Sequence, residues 1–213
     1  MTNINHLPTD PARDTVPIRL FKSDFLEFFT HISPVTIVVI WLPLALFLGI
    51  GPPVRGRSAA SVLAAFVLGL FIWTFAEYTL HRFLFHHKPS SPRQERIFFL
   101  FHGIHHAQPQ VKTRLVMPLP VSIPAALLFW GLFQLVAGWL LHSPEAVPPL
   151  MSGLLVGYLA YDLTHYATHH FPMRSGYGKF IKRHHMQHHY KDPATRFGVS
   201  SPLWDYVFRT QGA

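Results

Sequence analysis

Four long apolar stretches are the feature that most limits what this chain can fold into. They cover residues 34–50, 59–78, 119–141 and 147–162. A helix needs about 20 apolar residues to cross a bilayer, a length that two of the stretches reach and two approach. Pro43 and Pro124 lie inside them, and proline is tolerated better in membrane helices than in soluble ones. The pattern predicts an all-α integral membrane protein with four transmembrane helices in two hairpins.

The composition favours the membrane over a soluble domain. Hydrophobic residues make up 49% of the chain and charged residues only 13%, a balance too apolar for an ordinary soluble protein of this size. A soluble all-helical protein with a very apolar core is the weaker alternative. The net charge of +8 accompanies the apolar runs, so we interpret it as attraction to anionic lipid and predict no nucleic-acid partner. With no cysteine, the chain has neither disulfides nor thiolate ligands.

The basic residues indicate an orientation. All Lys and Arg residues except Arg55 and Arg57 fall on one side if both termini and the middle loop share it. The positive-inside rule then places that side in the cytoplasm. We expect an N-terminal cytoplasmic segment over residues 1–30, without a cleavable signal peptide, and a single membrane domain over residues 31–213. A cytoplasmic helical cap would come from residues 81–116 and 163–210.

Ten of the sixteen histidines fall into four clusters, and most lie three or four residues apart. The clusters are His81 and His86; His102, His105 and His106; His165 and His169; and His185, His188 and His189. Residues at i,i+3 and i,i+4 share one face of a helix, whereas the i,i+5 spacing of the first pair does not align on a straight α-helix. His87, His170 and His184 each adjoin a predicted ligand, and the sequence leaves their roles open.

Imidazole is a common metal ligand, and ten of them suffice for two ions with about five each. An all-nitrogen pair of redox metals indicates oxygen chemistry. Imidazole suits iron, copper, nickel and zinc, and the residues alone leave the metal open. Because iron fits oxygen activation, we favour two iron ions with molecular oxygen as co-substrate, and zinc as a competitor in purified protein. Glu77 precedes His81 by four residues and Asp162 precedes His165 by three. We expect both carboxylates to orient ligand imidazoles by hydrogen bonding.

The ordered boxes H-x(4)-H, H-x-x-H-H, H-x-x-x-H and H-x-x-H-H resemble the fatty acid hydroxylase/sterol desaturase superfamily of membrane di-iron enzymes. The segments that begin Arg114-Leu-Val and Phe197-Gly-Val-Ser are similar to its fatty acid 2-hydroxylase branch. The resemblance implies hydroxylation at C2 of a fatty acyl chain, free or within a ceramide-like sphingolipid. It implies a lipid substrate, a membrane location (the bacterial inner membrane or the endoplasmic reticulum) and an active site facing the cytoplasm. Eukaryotic members often carry an N-terminal b-type cytochrome domain, which this chain is expected to lack. A separate cytochrome, ferredoxin or reductase would then supply electrons.

Two other functions remain open at this point. A related oxidase of the same superfamily, acting on sterols or carotenoids or as a desaturase, would have nearly the same metal site. A non-enzymatic membrane metal transporter or storage protein is less favoured, because transporters place their ligands within the bilayer. Four aromatic residues near the ligands are candidates for the lining of an acyl groove, although ordinary core or interface packing is the favoured interpretation. They are Phe83, Phe85, Tyr161 and Tyr166.

Overall fold

The computed structural model describes residues 15–212, and the regular secondary structure in that part of the chain is all helical. The α-helices are α1 (Asp24–Phe28), α2 (Pro34–Ile50), α3 (Ala59–Thr79), α4 (Pro92–Phe98), α5 (Ile104–Ala107), α6 (Leu119–Phe133), α7 (Val147–His170), α8 (Gly176–Tyr190) and α9 (Leu203–Val207). Three π-helical segments occupy Leu80–Phe85, Phe99–Gly103 and Gln134–Leu140. Short 3-10 turns lie at Pro52–Val54, Lys112–Arg114 and Pro144–Ala146. Expectations for residues 1–14 lie outside the described residues.

The four predicted apolar helices are present. Within residues 15–212, four segments are long and apolar enough to cross a membrane: Pro34–Val54, Ala59–Phe85, Lys112–Leu140 and Pro144–His170. The fourth is longer than predicted, because α7 continues without a break through the histidine pair that was expected to follow it. His165 and His169 therefore lie on the last turns of this long helix, which fixes their backbone positions.

Helix α7 is the buried centre of the bundle, and α2 and α3 pack against it. Glycines permit the close approach of α3: a Cβ on Gly69 would lie 2.0 Å from the carbonyl oxygen of Leu150, and one on Gly153 would lie 1.9 Å from that of Phe66. Small residues at such crossings let helix backbones approach in a membrane, where apolar burial supplies little driving force. The hydroxyl of Ser152 donates to the carbonyl of Ala45 on α2 at 2.7 Å.

Serine residues define where three of the helices begin. The side chains of Ser33, Ser58 and Ser91 each accept a backbone N–H from the first turn of α2, α3 and α4. An N-cap of this kind satisfies a donor that the helix itself leaves unpaired. In α4, Pro92 follows the cap at the first helical position, where its missing N–H costs no hydrogen bond.

The N-terminal segment folds against the loop that precedes α6. The guanidinium of Arg114 donates to the Glu27 carboxylate and to the Ile18 carbonyl, and its side chain is only 3% exposed. Gln108 also binds this segment: its amide oxygen accepts from the N–H of Ile18 at 2.9 Å. Arg114 therefore ties the segment in place.

Candidate metal centre

All ten clustered histidines meet in one place, as two groups of five. Group 1 contains His81, His86, His102, His106 and His188. Group 2 contains His105, His165, His169, His185 and His189. Within each group the five candidate ligand nitrogens lie within 4.8 Å of one another.

The groups do not coincide with the sequence clusters. Each i,i+4 pair stays together on one helix face, as in His165 and His169 of α7. The second histidine of each H-x-x-H-H box joins the other group: His105 leaves its cluster for group 2, and His188 leaves its cluster for group 1. Segments α5 and α8 thereby contribute to both groups and link them.

A π-helical turn explains the i,i+5 spacing of the first pair. The segment Leu80–Phe85 is π-helical, and the N–H of His86 donates to the carbonyl of His81 at 3.1 Å. A π turn closes at i+5, so residues five apart come onto one face, which a straight α-helix does not allow. π turns often occur at functional sites. His102 lies in a second such segment, Phe99–Gly103.

The spacing of the rings fits a shared cation in each group. In group 1 the Nε2 atom of His102 is 3.1 Å from that of His81 and 3.0 Å from that of His106. In group 2 the Nε2 atom of His105 is 2.9 Å from those of His165 and His189. Nitrogen ligands 2.0–2.1 Å from one ion and at right angles are about 2.9 Å apart. The donor set is therefore compatible with two metal ions, and imidazole alone does not determine which metal.

Backbone carbonyls orient two rings of group 1. His81 Nδ1 donates to the carbonyl of Phe197 at 2.5 Å, and His188 Nδ1 donates to that of Thr195 at 2.7 Å. Because a carbonyl only accepts, both neutral rings must present an Nε2 lone pair to the centre. In group 2, the Nδ1 atoms of His105 and His185 are buried with no hydrogen-bond partner in residues 15–212.

Glu77 and Asp162 were expected to accept hydrogen bonds from ligand imidazoles, but the structure gives them other partners. Glu77 accepts from the N–H groups of Val199 at 2.6 Å and Ser200 at 2.7 Å, and also from the Ser200 hydroxyl. It cannot also accept from His81, because one ring nitrogen there binds the Phe197 carbonyl and the other faces the centre. Glu77 thus acts on the loop that holds His81.

Asp162 likewise has a backbone partner. Its two oxygens lie 3.3 and 3.1 Å from the N–H of Met117, just before α6. The Nε2 atom of His165 faces His105 of group 2 instead. Asp162 is buried in the wall of a cavity beside the rings, so it shapes their surroundings without the predicted contact.

Sequence reasoning missed Asp205, which organises the loop beside group 1. Its carboxylate is fully buried and accepts from the N–H groups of Phe197 at 2.9 Å and Gly198 at 2.8 Å. It also lies 3.1 Å from Nε2 of His184, which is therefore placed behind the centre and outside both groups. In the sequence, Asp205 is a single acidic residue after Pro202-Leu-Trp, and nothing in that pattern indicates a role near the histidines.

The other two ambiguous histidines also lie outside the groups. His87 is exposed and its ring is 5.4 Å from that of Phe98, and His170 packs on Tyr166 at 4.6 Å. Neither replaces a neighbouring ring in the two groups.

Burial keeps the ligand rings neutral. It lowers the pKa of His86 to about 3, with a further contribution from His188, and lowers the pKa of His188 to about 4. Burial, reinforced by neighbouring imidazoles, also lowers the pKa of the other five rings outside the candidate spans: His102, His105, His106, His185 and His189. Neutral imidazole is the form that binds metals.

A narrow cavity of about 70 Å³ reaches both groups of histidines. His102 of group 1 lies in its wall together with His105 and His165 of group 2. Phe85 and Tyr161, two of the four aromatic residues predicted to lie near a groove, also line it. The ring of Phe85 stacks on that of His102, with centroids 5.1 Å apart.

A larger apolar cavity of about 560 Å³ adjoins the narrow one. Its wall combines the N-terminal segment with the start of α6, and Arg114 is its charged residue. Four residues line both cavities: Leu100, Phe101, Pro118 and Val121. The other two predicted aromatics, Phe83 and Tyr166, line neither cavity.

Comparison with known proteins confirms the resemblance found in the sequence. The model of the fatty acid hydroxylase family matches residues 66–210. The chain is 37% identical to the dihydroceramide fatty acyl 2-hydroxylase FAH1 of Arabidopsis thaliana, over 90% of this chain and 79% of that protein. It is also 37% identical to the human fatty acid 2-hydroxylase, over 92% of this chain and 57% of that longer protein. The solved structure of full-length scs7p, in which only the hydroxylase domain is visible, superimposes with a TM-score of 0.81 at 33% identity, covering 89% of this chain and 72% of that one.

Proposed function

Because this chain belongs to the fatty acid hydroxylase family, we propose that it hydroxylates C2 of a fatty acyl chain at a pair of iron ions, using molecular oxygen. The acyl chain would be free or part of a ceramide-like lipid. One observation carries the proposal: ten imidazole nitrogens form two adjacent groups of five, beside a small cavity that adjoins a larger apolar one. The relatives named as 2-hydroxylases of fatty acids and of dihydroceramide acyl chains support the position of attack.

The two joined cavities have the shape that this substrate requires. A long acyl chain fits the larger cavity, which is apolar and reaches the N-terminal segment. Its carboxyl-proximal carbons would pass between Leu100 and Val121 into the narrow cavity, where His102 and His105 lie in the wall.

The residues of the chain would bind, orient and exclude water. His81 and His188 present Nε2 lone pairs because the carbonyls of Phe197 and Thr195 hold their Nδ1 protons. Phe85 and Tyr161 also line the narrow cavity and would present aromatic surface beside the carbon to be oxidised. Bound at the ten nitrogens, a pair of redox metal ions supplies oxygen activation and the oxidation of the C–H bond.

The proposed topology, domain bounds and partners are those predicted from the sequence. We place α2 with α3 and α6 with α7 as two transmembrane hairpins, and the histidine groups on the cytoplasmic side, where most basic residues collect. We retain a single membrane hydroxylase domain over residues 31–213 preceded by a segment over residues 1–30. We also retain a separate electron donor, a membrane substrate and no nucleic-acid partner.

Lipid mass spectrometry of a host with and without the protein tests the function. New 2-hydroxy acyl chains are the expected result, and altered sterols or carotenoids in their place would overturn the proposal. The matched controls are His188→Ala, which removes a group 1 nitrogen, and His142→Ala, which truncates an exposed histidine far from both groups along the chain. Product should be lost in the first variant and kept in the second.

Metal analysis of the same preparations tests the cofactor. We expect about two ions per chain, with zinc replacing iron where purification exposes the protein to it. Activity restored by ferrous iron and not by zinc would support iron. Full activity of a zinc-loaded protein free of iron would contradict it.

A further inference from the structure

A second opening in the protein surface reaches group 1 from outside the lipid cavities. It is an open recess of about 420 Å³. Arg82, His87 and Lys88 lie in its wall, and His86 and Phe197 form the part nearest the histidines. None of its lining residues belongs to either apolar cavity.

Hydroxylation by oxygen needs electrons that the lipid does not supply. The balance is R–H + O₂ + 2 e⁻ + 2 H⁺ → R–OH + H₂O, with one oxygen atom inserted into the C–H bond and the other released as water. We propose that an acidic one-electron carrier protein docks on this recess and passes those electrons to group 1 through His86. This inference rests on the proposed function.

The charges of the recess fit an acidic partner. Arg82 and Lys88 bring two positive charges, no acidic residue lines the recess, and neither cation forms an ion pair within residues 15–212. Arg82 is nevertheless held in place: it donates to the Tyr78 hydroxyl at 2.7 Å and lies over the ring of Phe83. Complementary charge of this kind steers encounter and fixes orientation between proteins.

Contacts between histidine rings behind the recess form a short path for electrons to both groups. His86 Nε2 is 3.0 Å from that of His188, so the ring at the surface belongs to the ligand set itself. From group 1 the path continues to group 2, because the ring of His106 stacks on that of His189 with centroids 4.1 Å apart and planes within 18°. Both rings are half-buried members of different groups.

An anionic lipid headgroup is the competing occupant, because the recess lies where the candidate span Ala59–Phe85 ends. The structure favours the carrier protein, since the recess leads to a ligand ring and not to the apolar cavities that an acyl chain would need.

Binding of a plant-type [2Fe–2S] ferredoxin to the full chain in phosphatidylcholine nanodiscs tests the inference. Lys88→Glu should raise the Kd about tenfold at low ionic strength, with a smaller difference at high salt. The matched control is Arg57→Glu, the same charge change at an exposed residue of the α2–α3 turn, which should alter the Kd less than about twofold. Carbodiimide cross-linking should join Lys88 to a ferredoxin carboxylate.

Equal Kd values for both variants, or cross-links that avoid Lys88, would overturn the inference. So would a Lys88→Glu variant that loses only its extra affinity for phosphatidylserine vesicles, since that result assigns the recess to lipid. Binding requires neither turnover nor product, so its outcome is separable from the lipid analysis that tests the proposed function.

Discussion

Replacing Glu77 should empty one metal position before the other. Its carboxylate, 3% exposed, accepts the N–H groups of Val199 and Ser200 and the Ser200 hydroxyl. These bonds hold the loop that presents the Phe197 carbonyl to His81. Group 2 has no ring bonded to this loop among the described residues, so the effect should be confined to group 1.

The size of the effect follows from the bonds lost. Glu77→Ala leaves two backbone N–H groups without their acceptor, and at about 1–3 kcal/mol each the cost is roughly 4 kcal/mol. Loosening the carbonyl that orients His81 should weaken metal binding at group 1 about 10–100-fold. Glu77→Gln keeps an oxygen for both N–H groups and an amide that the Ser200 hydroxyl can accept from. Its cost should be about 1 kcal/mol.

Metal content after graded chelation, followed by elemental analysis, checks this reasoning. The alanine variant should fall from about two ions per chain to one at chelator levels where the glutamine variant still holds both. Glu95→Ala, the same truncation at an exposed carboxylate of α4, serves as the control. Simultaneous loss of both ions, or equal retention by the Ala and Gln variants, would refute the idea that the loop serves group 1 alone.

Three further outcomes are expected. Val121→Trp should close the passage between the two cavities and abolish turnover with metal content unchanged, whereas Leu128→Trp, 73% exposed on the same helix, should leave product yield intact. Arg114→Ala removes a buried ion pair to the N-terminal segment, and losing one partner of such a pair costs about 3–5 kcal/mol, so the wall of the larger cavity should loosen and KM should rise at least about fivefold at constant kcat. The metal-free protein should lose thermal stability as pH falls. His86 and His188 have pKa values of about 3 and 4 in the folded state against 6.5 unfolded, so below pH 6.5 the unfolded chain binds protons that the folded chain does not. Melting temperatures between pH 7.5 and 5 measure this, and a flat profile would contradict it.

Much of the fold follows from local sequence. The apolar runs predict four long helices because a helix satisfies its own backbone within lipid and runs of about this length suit a spanning helix, and the structure contains all four. The i,i+4 spacing of pairs such as His165 and His169 places them on one helix face, and each such pair stays in one group. The length of α7 was underestimated, because hydropathy falls where its histidines begin although the helix continues.

What the sequence determined by itself is the membrane class, the ten ligand-type histidines and the family, since these depend on composition and spacing within single segments. Only the tertiary structure decided which histidines share a group. Adjacent residues on a helix point about 100° apart, so His105 diverges from His106 and His188 from His189, and only the packing of α5 and α8 decides which group each joins. The sequence did not predict the loop contacts of Glu77 and Asp205 either. Glu77 accepts from Val199, 122 positions away, and Asp205 accepts from Phe197, 8 positions away, and only the packed structure brings these groups together.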